Sequence, residues 1–271
     1  MARLNELVLG GEGLIGSALV QALKAKGHVV TSLDRKGGVE LQEVGVAPFE
    51  ACDRVWFLAW DTGGAKYLSS DMHQLEIYRN NCLLATRVFD HLAATRKPFL
   101  FTTSQLAGRP HAYGVTKLLG ERWAGQLGGK VARLWNVYGW EPPGLRSHVV
   151  PDLVLSGLRD RVVSLQTAGG ERRRLLYKTD CAAALIAFFE DPTATADIAG
   201  ERWVSVRNVA EVVARQTSAP LVYGSAQGEE VLIDPGKPLP GWRPGVPLEE
   251  GIARVIEEAR AFLGRGRGEE A

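Results

Sequence analysis

Three glycines near the start of the chain have the spacing of a phosphate-binding turn. They follow a short apolar run at three-residue intervals and open an amphipathic segment. Glycine permits a tight turn, close approach of the backbone to a pyrophosphate, and tight packing of a helix on a strand. The start of the helix would direct its N–H groups and the positive end of its dipole at the phosphates. The residues predicted to line this turn are Gly10, Gly13, Leu14, Ile15 and Gly16.

An acidic residue, Asp34, ends the second apolar run of the chain. A carboxylate in that place accepts hydrogen bonds from an adenosine ribose and repels a 2′-phosphate, which favours NAD over NADP. Arg35 beside it would accommodate that phosphate, so NADP is not excluded. A structural turn with a surface aspartate is the alternative interpretation. The order of strand, glycine turn, helix, strand and acid favours a dinucleotide site.

A tyrosine and a lysine stand four residues apart further along the chain, at Tyr113 and Lys117. Residues with this spacing share a helix face, so the ammonium would lie near the phenol. Together with a positive nicotinamide ring, the ammonium would lower the pKa of the phenol from its usual value of about 10 and make it a general base. Thr103 and Ser104 come just before and would hydrogen-bond the same substrate hydroxyl. The spacing alone is common on exposed helices, and it indicates a redox site only downstream of the glycine turn.

Short apolar runs alternate with helix-like stretches, which is typical of a parallel sheet covered by helices. Several runs are apolar or β-branched throughout, as expected of strands buried on both faces. The predicted fold class is α/β, a doubly wound parallel sheet of the Rossmann type with a smaller C-terminal substrate-binding region. The predicted strands are residues 6–9, 29–33, 54–58, 99–103 and 131–134, and the predicted crossover helices are residues 14–26, 75–95 and 113–127.

The alternation of apolar runs and helix-like stretches ends after Gly139, where several prolines interrupt the chain. We therefore predict a dinucleotide-binding domain over residues 1–140, completed by about 175–206. A smaller substrate-binding region over residues 141–271 would be interleaved with it. A last helix is predicted over residues 248–263.

Composition limits the partners of the chain. Of its 271 residues 45% are hydrophobic and 23% charged, and 32 Lys plus Arg against 31 Asp plus Glu give a net charge of +1. This balance argues against nucleic acid and against a membrane surface, and it favours a small-molecule partner. The three scattered cysteines lack metal-ligand spacing, so we expect reduced thiols, no metal site and a cytoplasmic location. The sequence contains no apolar window long enough for a membrane span and no pattern of a secretory leader.

Several motifs, which follow one another along the chain in the order of the family, make the sequence resemble the extended short-chain dehydrogenase/reductases, the NAD-dependent sugar-nucleotide epimerase/dehydratase family. The likeness covers nearly the whole chain, from the glycine turn through TTSQLAG at 102–108 and ARLWNVYG at 132–139 to LPGWRPGVPLEEGI at 239–252. It implies that Tyr113 is the catalytic base and that Lys117 holds the nicotinamide ribose. It also implies that Thr103 hydrogen-bonds the substrate hydroxyl from which Tyr113 takes the proton. It also implies that four further residues lie beside the cofactor, namely Leu58, Ala59, Trp60 and Asn81.

The same resemblance implies a nucleotide-sugar as the substrate. Asn136 matches an asparagine that contacts substrate, as Ser104 would, while His148 and Val149 lie in a stretch that follows the nucleotide. Arg173 matches an arginine that grips the diphosphate, and guanidinium groups suit phosphate oxygens. For the three consecutive arginines as a group, a solvated loop or a salt-bridged strand edge is the alternative.

Two departures from the family pattern bear on the reaction. The loop after Thr103 is short, which would open the substrate pocket or change its substrate. Gln105 stands where the dehydratases of the family carry an acid, and an amide cannot take a proton from a sugar carbon, so 4,6-dehydration is disfavoured. Alignment from Gly108 makes Thr103 the hydroxyl catalyst, whereas alignment from Phe101 selects Ser104, and Thr103 is the first choice.

The sequence therefore predicts an NAD-dependent enzyme that acts on a sugar hydroxyl of a nucleotide-sugar, first of all an epimerase. In an epimerase the keto sugar turns over and takes the hydride back on its other face, so the cofactor ends unchanged. A 4-ketosugar reductase or alcohol dehydrogenase, a 4,6-dehydratase and a non-catalytic NAD-binding protein are the alternatives. The pair of Tyr113 and Lys117 argues against the last of these. The resemblance also implies a homodimer formed through residues 75–95 and 113–127.

Overall fold

The computed structural model describes residues 2–226, 228 and 233–266, so residue 1 of the predicted range 1–140 and residues 227, 229–232 and 267–271 of the predicted range 141–271 lie outside the described part. No helix in these ranges is both long and apolar enough to cross a membrane. The strands are β1 (Asn5–Leu9), β2 (Val29–Leu33), β3 (Arg54–Phe57), β4 (Phe99–Ser104), β5 (Lys130–Leu134), β6 (Val137–Tyr138), β7 (Val163–Ser164), β8 (Arg172–Arg173), β9 (Leu176–Tyr177), β10 (Thr195–Ile198), β11 (Val204–Ser205) and β12 (Leu221–Val222). The helices are α1 (Leu14–Ala25), α2 (Ala47–Glu50), α3 (Ala65–Leu68), α4 (Gln74–Thr95), α5 (Ala112–Gln126), α6 (Val149–Leu155), α7 (Lys178–Glu190), α8 (Val206–Thr217) and α9 (Leu248–Gly266).

A 6-stranded sheet forms the centre of the molecule, in the order β10-β5-β4-β3-β1-β2. All of its neighbouring strands pair in parallel, which confirms the predicted doubly wound sheet. The strand order reverses at β1, because the chain first moves outward to β2 and then returns past β1 to β3. A crevice forms outside the carboxyl ends of the strands at such a reversal, and it is where ligands bind in this class of fold.

Helices cover both faces of this sheet. Successive residues of a strand point to opposite faces, so Leu7 and Val8 of β1 enter different cores. Helices α1 and α7 pack on the face of Val8, and helices α4 and α5 pack on the face of Leu7. Each large apolar side chain buried in this way contributes about 1.5–3 kcal/mol. Fully buried members of the two cores include Leu19, Trp56, Leu100 and Phe188 on one face and Phe57, Phe89 and Phe101 on the other.

The segment between β2 and β3 adds no strand to the sheet. Residues 35–53, all of them described, contain a 3₁₀ turn (Arg35–Gly37) and the short helix α2. Strand β2 is therefore at the edge of the sheet. The end of β2, with Asp34 and Arg35, remains at the border of the crevice.

Helices α6, α8 and α9 pack around a further core beside the sheet. Short strand pairs, β7 with β12 and β8 with β11, border this region. Helix α7 and strand β10 return to the sheet, within the predicted completing range 175–206, although the domain boundaries themselves stay a prediction. Buried members of this core include Tyr138, Val154, Val209, Ile252 and Ile256.

Candidate active site

A cleft of about 1600 Å³ follows the carboxyl ends of the parallel strands. The loops after β1, β3, β4 and β5 border one side, and residues of α6, β7 and β8 border the other. Every residue that the sequence assigned to the site lines this cleft, although its role stays a prediction. On the cofactor side these are Gly10, Gly13, Leu14, Ile15, Gly16, Asp34, Arg35, Leu58, Ala59, Trp60, Asn81, Tyr113 and Lys117, and on the substrate side Thr103, Ser104, Asn136, His148, Val149 and Arg173.

The turn between β1 and α1 has no room for a side chain at two of its glycines. Gly10 has a φ of +89°, and a Cβ there would lie 2.6 Å from the backbone nitrogen of Ala59. A Cβ on Gly16 would clash with the Gly10 carbonyl oxygen and lie 2.8 Å from the Cα of Gly11. Helix α1 begins after Gly13, and no side chain of the described residues caps it, so its first N–H groups remain for a ligand. This turn fits the pyrophosphate of a dinucleotide.

Two backbone donors fix Asp34 at the end of β2. Its carboxylate accepts hydrogen bonds from the N–H of Glu12 at 3.1 Å and the N–H of Lys36 at 2.9 Å. Each oxygen keeps a further lone pair with which it can accept from a ribose hydroxyl. Arg35 is exposed at the border of the cleft. The arrangement fits the adenosine ribose of NAD, and it places a negative charge where a 2′-phosphate would lie.

The buried amide of Asn81 holds the loop that follows β3. Its Oδ1 accepts from the N–H of Asp61 at 2.7 Å, and its Nδ2 donates to the carbonyl oxygen of the same residue at 3.2 Å. The Nδ2 also donates to Oγ1 of Thr116 on α5 at 3.2 Å. Asn81 therefore fixes the backbone just after residues 58–60, which line the cofactor side of the cleft.

The phenol of Tyr113 has two hydroxyls close enough to act on its pKa, that of Ser104 at the end of β4 and that of Thr62 in the loop after β3. Burial raises the pKa of Tyr113, and the hydrogen bonds with Ser104 and Thr62 lower it by less, so the net direction is upward. The sequence predicted a pKa lowered by the Lys117 ammonium together with the positive nicotinamide ring of a bound cofactor. The chain's own groups do the opposite because desolvation penalises the charged phenolate.

The structure bears on the choice between Thr103 and Ser104. Adjacent residues of a strand point to opposite faces, so only one of the two can contact the phenol. The hydroxyl of Thr103 donates to the carbonyl oxygen of Lys117 at 3.4 Å and lies 3.3 Å from Oε2 of Glu121. The Oγ of Ser104 contacts Tyr113 and accepts from the N–H of Leu106 at 3.1 Å. Ser104, the alternative to the first choice Thr103, is thus the residue beside the phenol, and the choice between the two as the hydroxyl catalyst stays a prediction.

The ammonium of Lys117 is almost completely buried among aromatic rings. Its Nζ lies 4.5 Å from the ring centroid of Trp60, 4.9 Å from that of Phe101 and 5.8 Å from that of Tyr113. It donates a hydrogen bond to the carbonyl oxygen of Thr102 at 2.7 Å. Burial lowers the pKa of Lys117 well below its usual value, although cation–π contacts favour the charged form. The ammonium and the phenol are thus neighbours, as the helical spacing indicated.

A side-chain hydrogen bond joins the end of β5 to the loop after β4. The Nε2 of Gln105 donates to Oδ1 of Asn136 at 2.9 Å. Asn136 itself has a left-handed backbone, with φ +37°, and its carbonyl oxygen accepts from the N–H of Leu176 at 3.2 Å. Gln105 therefore acts as a donor that orients Asn136, which agrees with its inability to serve as an acid or base.

His148, at the start of α6, is tied to Glu141. Its backbone N–H and its Nδ1 each lie 2.6 Å from Oε1 of Glu141. Burial lowers the pKa of His148, but the hydrogen bond and charge of Glu141, the charge of Asp152 and a hydrogen bond with Gly63 outweigh it, so the pKa is raised. Val149 follows and is exposed at the cleft. A protonated His148 would add positive charge to the substrate side.

The three consecutive arginines have different surroundings. Arg174 pairs with Asp234 at 2.6 Å and donates to two backbone carbonyls, so it serves the structure. Arg172 is exposed on β8. Arg173 lines the same cleft as the glycine turn, although the two are far apart in the sequence. The salt-bridged alternative thus describes Arg174, whereas Arg173 lies where a phosphate could be bound.

The sequence argument missed three residues that line the cleft, namely Asp61, Thr62 and Arg146. Thr62 is close enough to act on the pKa of the Tyr113 phenol, and Asp61 forms an ion pair with Arg146. Asp61 and Thr62 directly follow the predicted cofactor segment at 57–60, which was the one available signal. Arg146 is 85 residues from Asp61 along the chain, so no local pattern connects the two.

The sequence also matches a family model. The match covers residues 6–210, and the model describes the NAD dependent epimerase/dehydratase family. The chain therefore belongs to the NAD-dependent epimerase/dehydratase family. The predicted family, fold, enzyme class and NAD cofactor are confirmed.

Similar proteins include a curated relative and several solved structures. UDP-glucuronic acid decarboxylase 1 of Danio rerio is 23% identical over 305 residues, which cover 93% of this chain and 71% of the relative. MoeE5, solved in complex with UDP-glucose and NAD, is 26% identical with a TM-score of 0.81, covering 96% of this chain and 99% of that one. A UDP-glucose 4-epimerase of Thermotoga maritima, solved with UDP-glucose, is 22% identical with a TM-score of 0.80 and the same coverage of 96% and 99%. This last likeness is one of fold.

Proposed function

We propose that the protein is a nucleotide-sugar epimerase that uses NAD to oxidise and re-reduce one hydroxyl-bearing carbon of the sugar. The observation that carries the proposal is the contact between Ser104 and the phenol of Tyr113 in the middle of the cleft. The glycine turn and Arg173 line the same cleft. A base paired with a hydroxyl, in one cleft with a dinucleotide site and an arginine, suits oxidation of a sugar alcohol that carries a diphosphate.

The proposed roles follow from these positions. Tyr113 takes the proton of the sugar hydroxyl as the hydride leaves the same carbon, and Ser104 hydrogen-bonds that oxygen. NAD, when bound, supplies the hydride acceptor and afterwards the donor. The same Tyr113 returns the proton once the keto sugar has turned over. General acid–base catalysis by such a group accounts for about 10²–10⁴-fold in rate.

Substrate recognition is assigned to the far side of the cleft. Arg173 would pair with the diphosphate, Asn136 would contact the sugar side, and His148 with Val149 would follow the nucleotide. UDP-sugars are the first candidates, because MoeE5 binds UDP-glucose and a further complex of it holds UDP-glucuronic acid. Within the arginine run, Arg173→Gln should raise KM for the nucleotide-sugar, and the matched variant Arg172→Gln should leave KM unchanged.

The test is a turnover assay with defined nucleotide-sugars. Purified protein with NAD would be incubated in D₂O with UDP-, GDP-, CDP- and dTDP-hexoses and with UDP-glucuronic acid, and the products would be resolved by NMR. An epimerase yields an epimer without net NADH. The inverted carbon keeps its own hydrogen, because the hydride that left is the hydride that returns. Tyr113→Phe is the control, and it should abolish turnover while NAD still binds.

Other products would contradict the proposal in identifiable ways. Stoichiometric NADH would indicate a dehydrogenase, or a 4-ketosugar reductase working in reverse. Loss of water with deuterium uptake would indicate a dehydratase, and release of CO₂ from UDP-glucuronic acid would indicate a decarboxylase, the activity named for the Danio rerio relative. If the wild type turned over none of these substrates, and it bound NAD as Tyr113→Phe does, the protein would be a non-catalytic NAD-binding protein.

We propose further that two copies associate through α4 and α5. Helix α4 packs beside α5, and both carry exposed large apolar residues, among them Leu83, Val115 and Leu119. Val115 and Leu119 are four residues apart and share one face of α5. Exposed apolar faces of this kind mark interaction surfaces. Light scattering should give the mass of a dimer, and Leu83→Glu combined with Leu119→Glu should give that of a monomer.

A further inference from the structure

The loop between β4 and α5 brings positive charge to the cleft. Its residues 105–111 read QLAGRPH and include no Asp or Glu, so the one permanent charge of the loop is the guanidinium of Arg109. Arg109 lines the cleft together with Gln105 of the same loop. The amide of Gln105 is neutral and does not offset that charge. This border of the cleft therefore favours an anionic group of a ligand.

Hydrogen bonds within the chain fix the backbone of this loop. The N–H of Leu106 donates to Oγ of Ser104 at 3.1 Å, and the N–H of Arg109 donates to the carbonyl oxygen of Leu106 at 3.0 Å. Gly108 has a φ of +88°, and its N–H donates to the carbonyl oxygen of Gly114 on α5 at 2.9 Å. A backbone that is ordered in advance reduces the entropic cost of binding a ligand through its side chains.

Arg109 lies against the start of the helix that carries the catalytic phenol. A Cβ on Gly114, the residue after Tyr113, would lie 2.6 Å from the carbonyl oxygen of Arg109 and 2.9 Å from its backbone nitrogen. The close approach of the loop to α5 thus requires glycine at position 114. The long side chain of Arg109 starts beside this position, and the residue lines the same cleft as Tyr113. Because the sugar is the part of a nucleotide-sugar that reacts at Tyr113, it is also the part nearest to Arg109.

Charge compensation distinguishes Arg109 from other arginines that line the cleft. The guanidinium of Arg146 pairs with Asp61. That of Arg133 pairs with Glu121. Arg109 is half-buried, yet its side chain forms no hydrogen bond and no ion pair with any residue that the structure describes. Partial removal of a charge from water costs free energy unless an opposite charge compensates for it, and an anion of a ligand would do so.

We infer that Arg109 binds a carboxylate of the sugar, and that the substrate is therefore a nucleotide-linked uronic acid rather than a neutral hexose. The inference rests on the proposed function, in which the sugar reacts at Tyr113. The planar fork of a guanidinium matches the two oxygens of a carboxylate with two parallel hydrogen bonds. The diphosphate, the other anion of the substrate, is assigned to Arg173 on β8. Arg109 is thus a specificity residue, and it takes no part in the transfer of the proton or the hydride.

The experiment compares two nucleotide-sugars that differ only at C6, where UDP-glucuronic acid has a carboxylate and UDP-glucose has a hydroxymethyl group. Their Kd values would be measured by calorimetry with NAD bound, in a Tyr113→Phe background so that neither is turned over. UDP-glucuronic acid should bind more tightly than UDP-glucose. Arg109→Gln should raise the Kd of UDP-glucuronic acid by about tenfold to hundredfold, because a charge-assisted pair is lost. The Kd of UDP-glucose should change by less than about twofold.

The matched control is Arg260→Gln on α9, which removes the same charge from an exposed residue outside the cleft. Both Kd values should stay unchanged in this variant, since the effect depends on where the charge lies and not on the net charge of the protein. If Arg109→Gln does not fold by circular dichroism, Arg109→Met removes the same charge and is held to the same pair of Kd values.

Three results would overturn the inference. An unchanged Kd of UDP-glucuronic acid in Arg109→Gln would show that no carboxylate is bound there. An equal loss for the two sugars would assign Arg109 to the diphosphate that they share. A raised Kd for NAD would assign it to the cofactor. Each of these results leaves the proposed function intact.

Failure of the proposed function gives a different set of results. Binding of neither sugar would refute the nucleotide-sugar substrate and, with it, the inference. Binding of UDP-glucuronic acid that depends on Arg109, without its epimerisation by the wild type, would support the inference and refute only the proposed epimerase.

Discussion

Substitution of the two adjacent hydroxyl residues of β4 gives the sharpest test of the site. Ser104→Ala removes a hydroxyl that contacts the Tyr113 phenol, whereas Thr103→Val removes one that contacts the Lys117 carbonyl at 3.4 Å and Glu121 at 3.3 Å. Loss of one donor at the reacting oxygen typically lowers kcat by about 10²–10³-fold. Thr103→Val loses one long hydrogen bond in a buried place, since its single hydroxyl proton serves only one of these two acceptors at a time, and this should lower the free energy of unfolding by about 1 kcal/mol and kcat by only a few-fold.

The assay is kcat for the nucleotide-sugar together with thermal unfolding of each variant. Ser104→Ala should unfold within a few degrees of the wild type, about 2–4 °C per kcal/mol for a chain near this size, because the fold loses the hydrogen bond from Leu106 and the interaction with the Tyr113 phenol. Ser104→Thr keeps the hydroxyl and should recover most of the rate. The opposite result would refute the reasoning: a large loss of kcat in Thr103→Val together with a kcat close to the wild-type value in Ser104→Ala.

Three further predictions follow from the two ends of the cleft. Gly16→Ala should raise the Kd for NAD, measured by calorimetry, more than about tenfold, because its Cβ would collide with the backbone of the preceding turn. The control Gly125→Ala, whose Cβ meets nothing within 4 Å, should leave this Kd unchanged. Equal affinities of the two variants would contradict the clash. Asp34→Asn should reduce the ratio of NADP Kd to NAD Kd by about tenfold or more, since the charge that repels a 2′-phosphate is removed, and a constant ratio would count against this role. The raised pKa of His148 means that its pairing with Glu141 stabilises the fold fully below the ordinary histidine pKa of about 6.5, and that this stabilisation is lost as pH rises through the raised value. In urea unfolding, the deficit of Glu141→Gln should therefore be largest near pH 6 and shrink toward pH 9, and a deficit independent of pH would exclude the mechanism.

Much of the fold could be predicted because its signals are local. Residues 55–57 of β3 and 99–103 of β4 are apolar or β-branched throughout and buried, so their place inside a helix-covered sheet follows from composition alone. The glycine turn was equally readable, since the clash at Gly16 depends on atoms only a few residues away. The segment 35–53 lacked such signals, and the structure has a 3₁₀ turn and a short helix there. The edge position of β2 thus required the structure.

The site was predicted only where local spacing determines it. The four-residue interval brought Lys117 near Tyr113, and strand alternation decided that one of Thr103 and Ser104 had to face away from the phenol. Which one faces it depends on the register of β4 against α5, a tertiary property that alignment anchors could not decide. Arg146 reaches its partner across 85 residues of sequence, and contacts at that separation leave no mark in a pattern of nearby residues.

The burial of the Tyr113–Lys117 pair explains why the phenol needs several partners. Desolvation raises the pKa of the phenol and lowers that of the ammonium, so burial favours the neutral form of both. The ammonium is stabilised by the Thr102 carbonyl and the rings of Trp60 and Phe101, contacts that do little for the phenol directly. Phenolate must then be stabilised by groups at its own oxygen, and hydroxyl donors can do this without adding charge to a buried place. A positive nicotinamide beside the phenol would act in the same direction. The phenolate form that accepts the proton would thus be most populated when an oxidised cofactor is present to receive the hydride, which links the two transfers at one carbon.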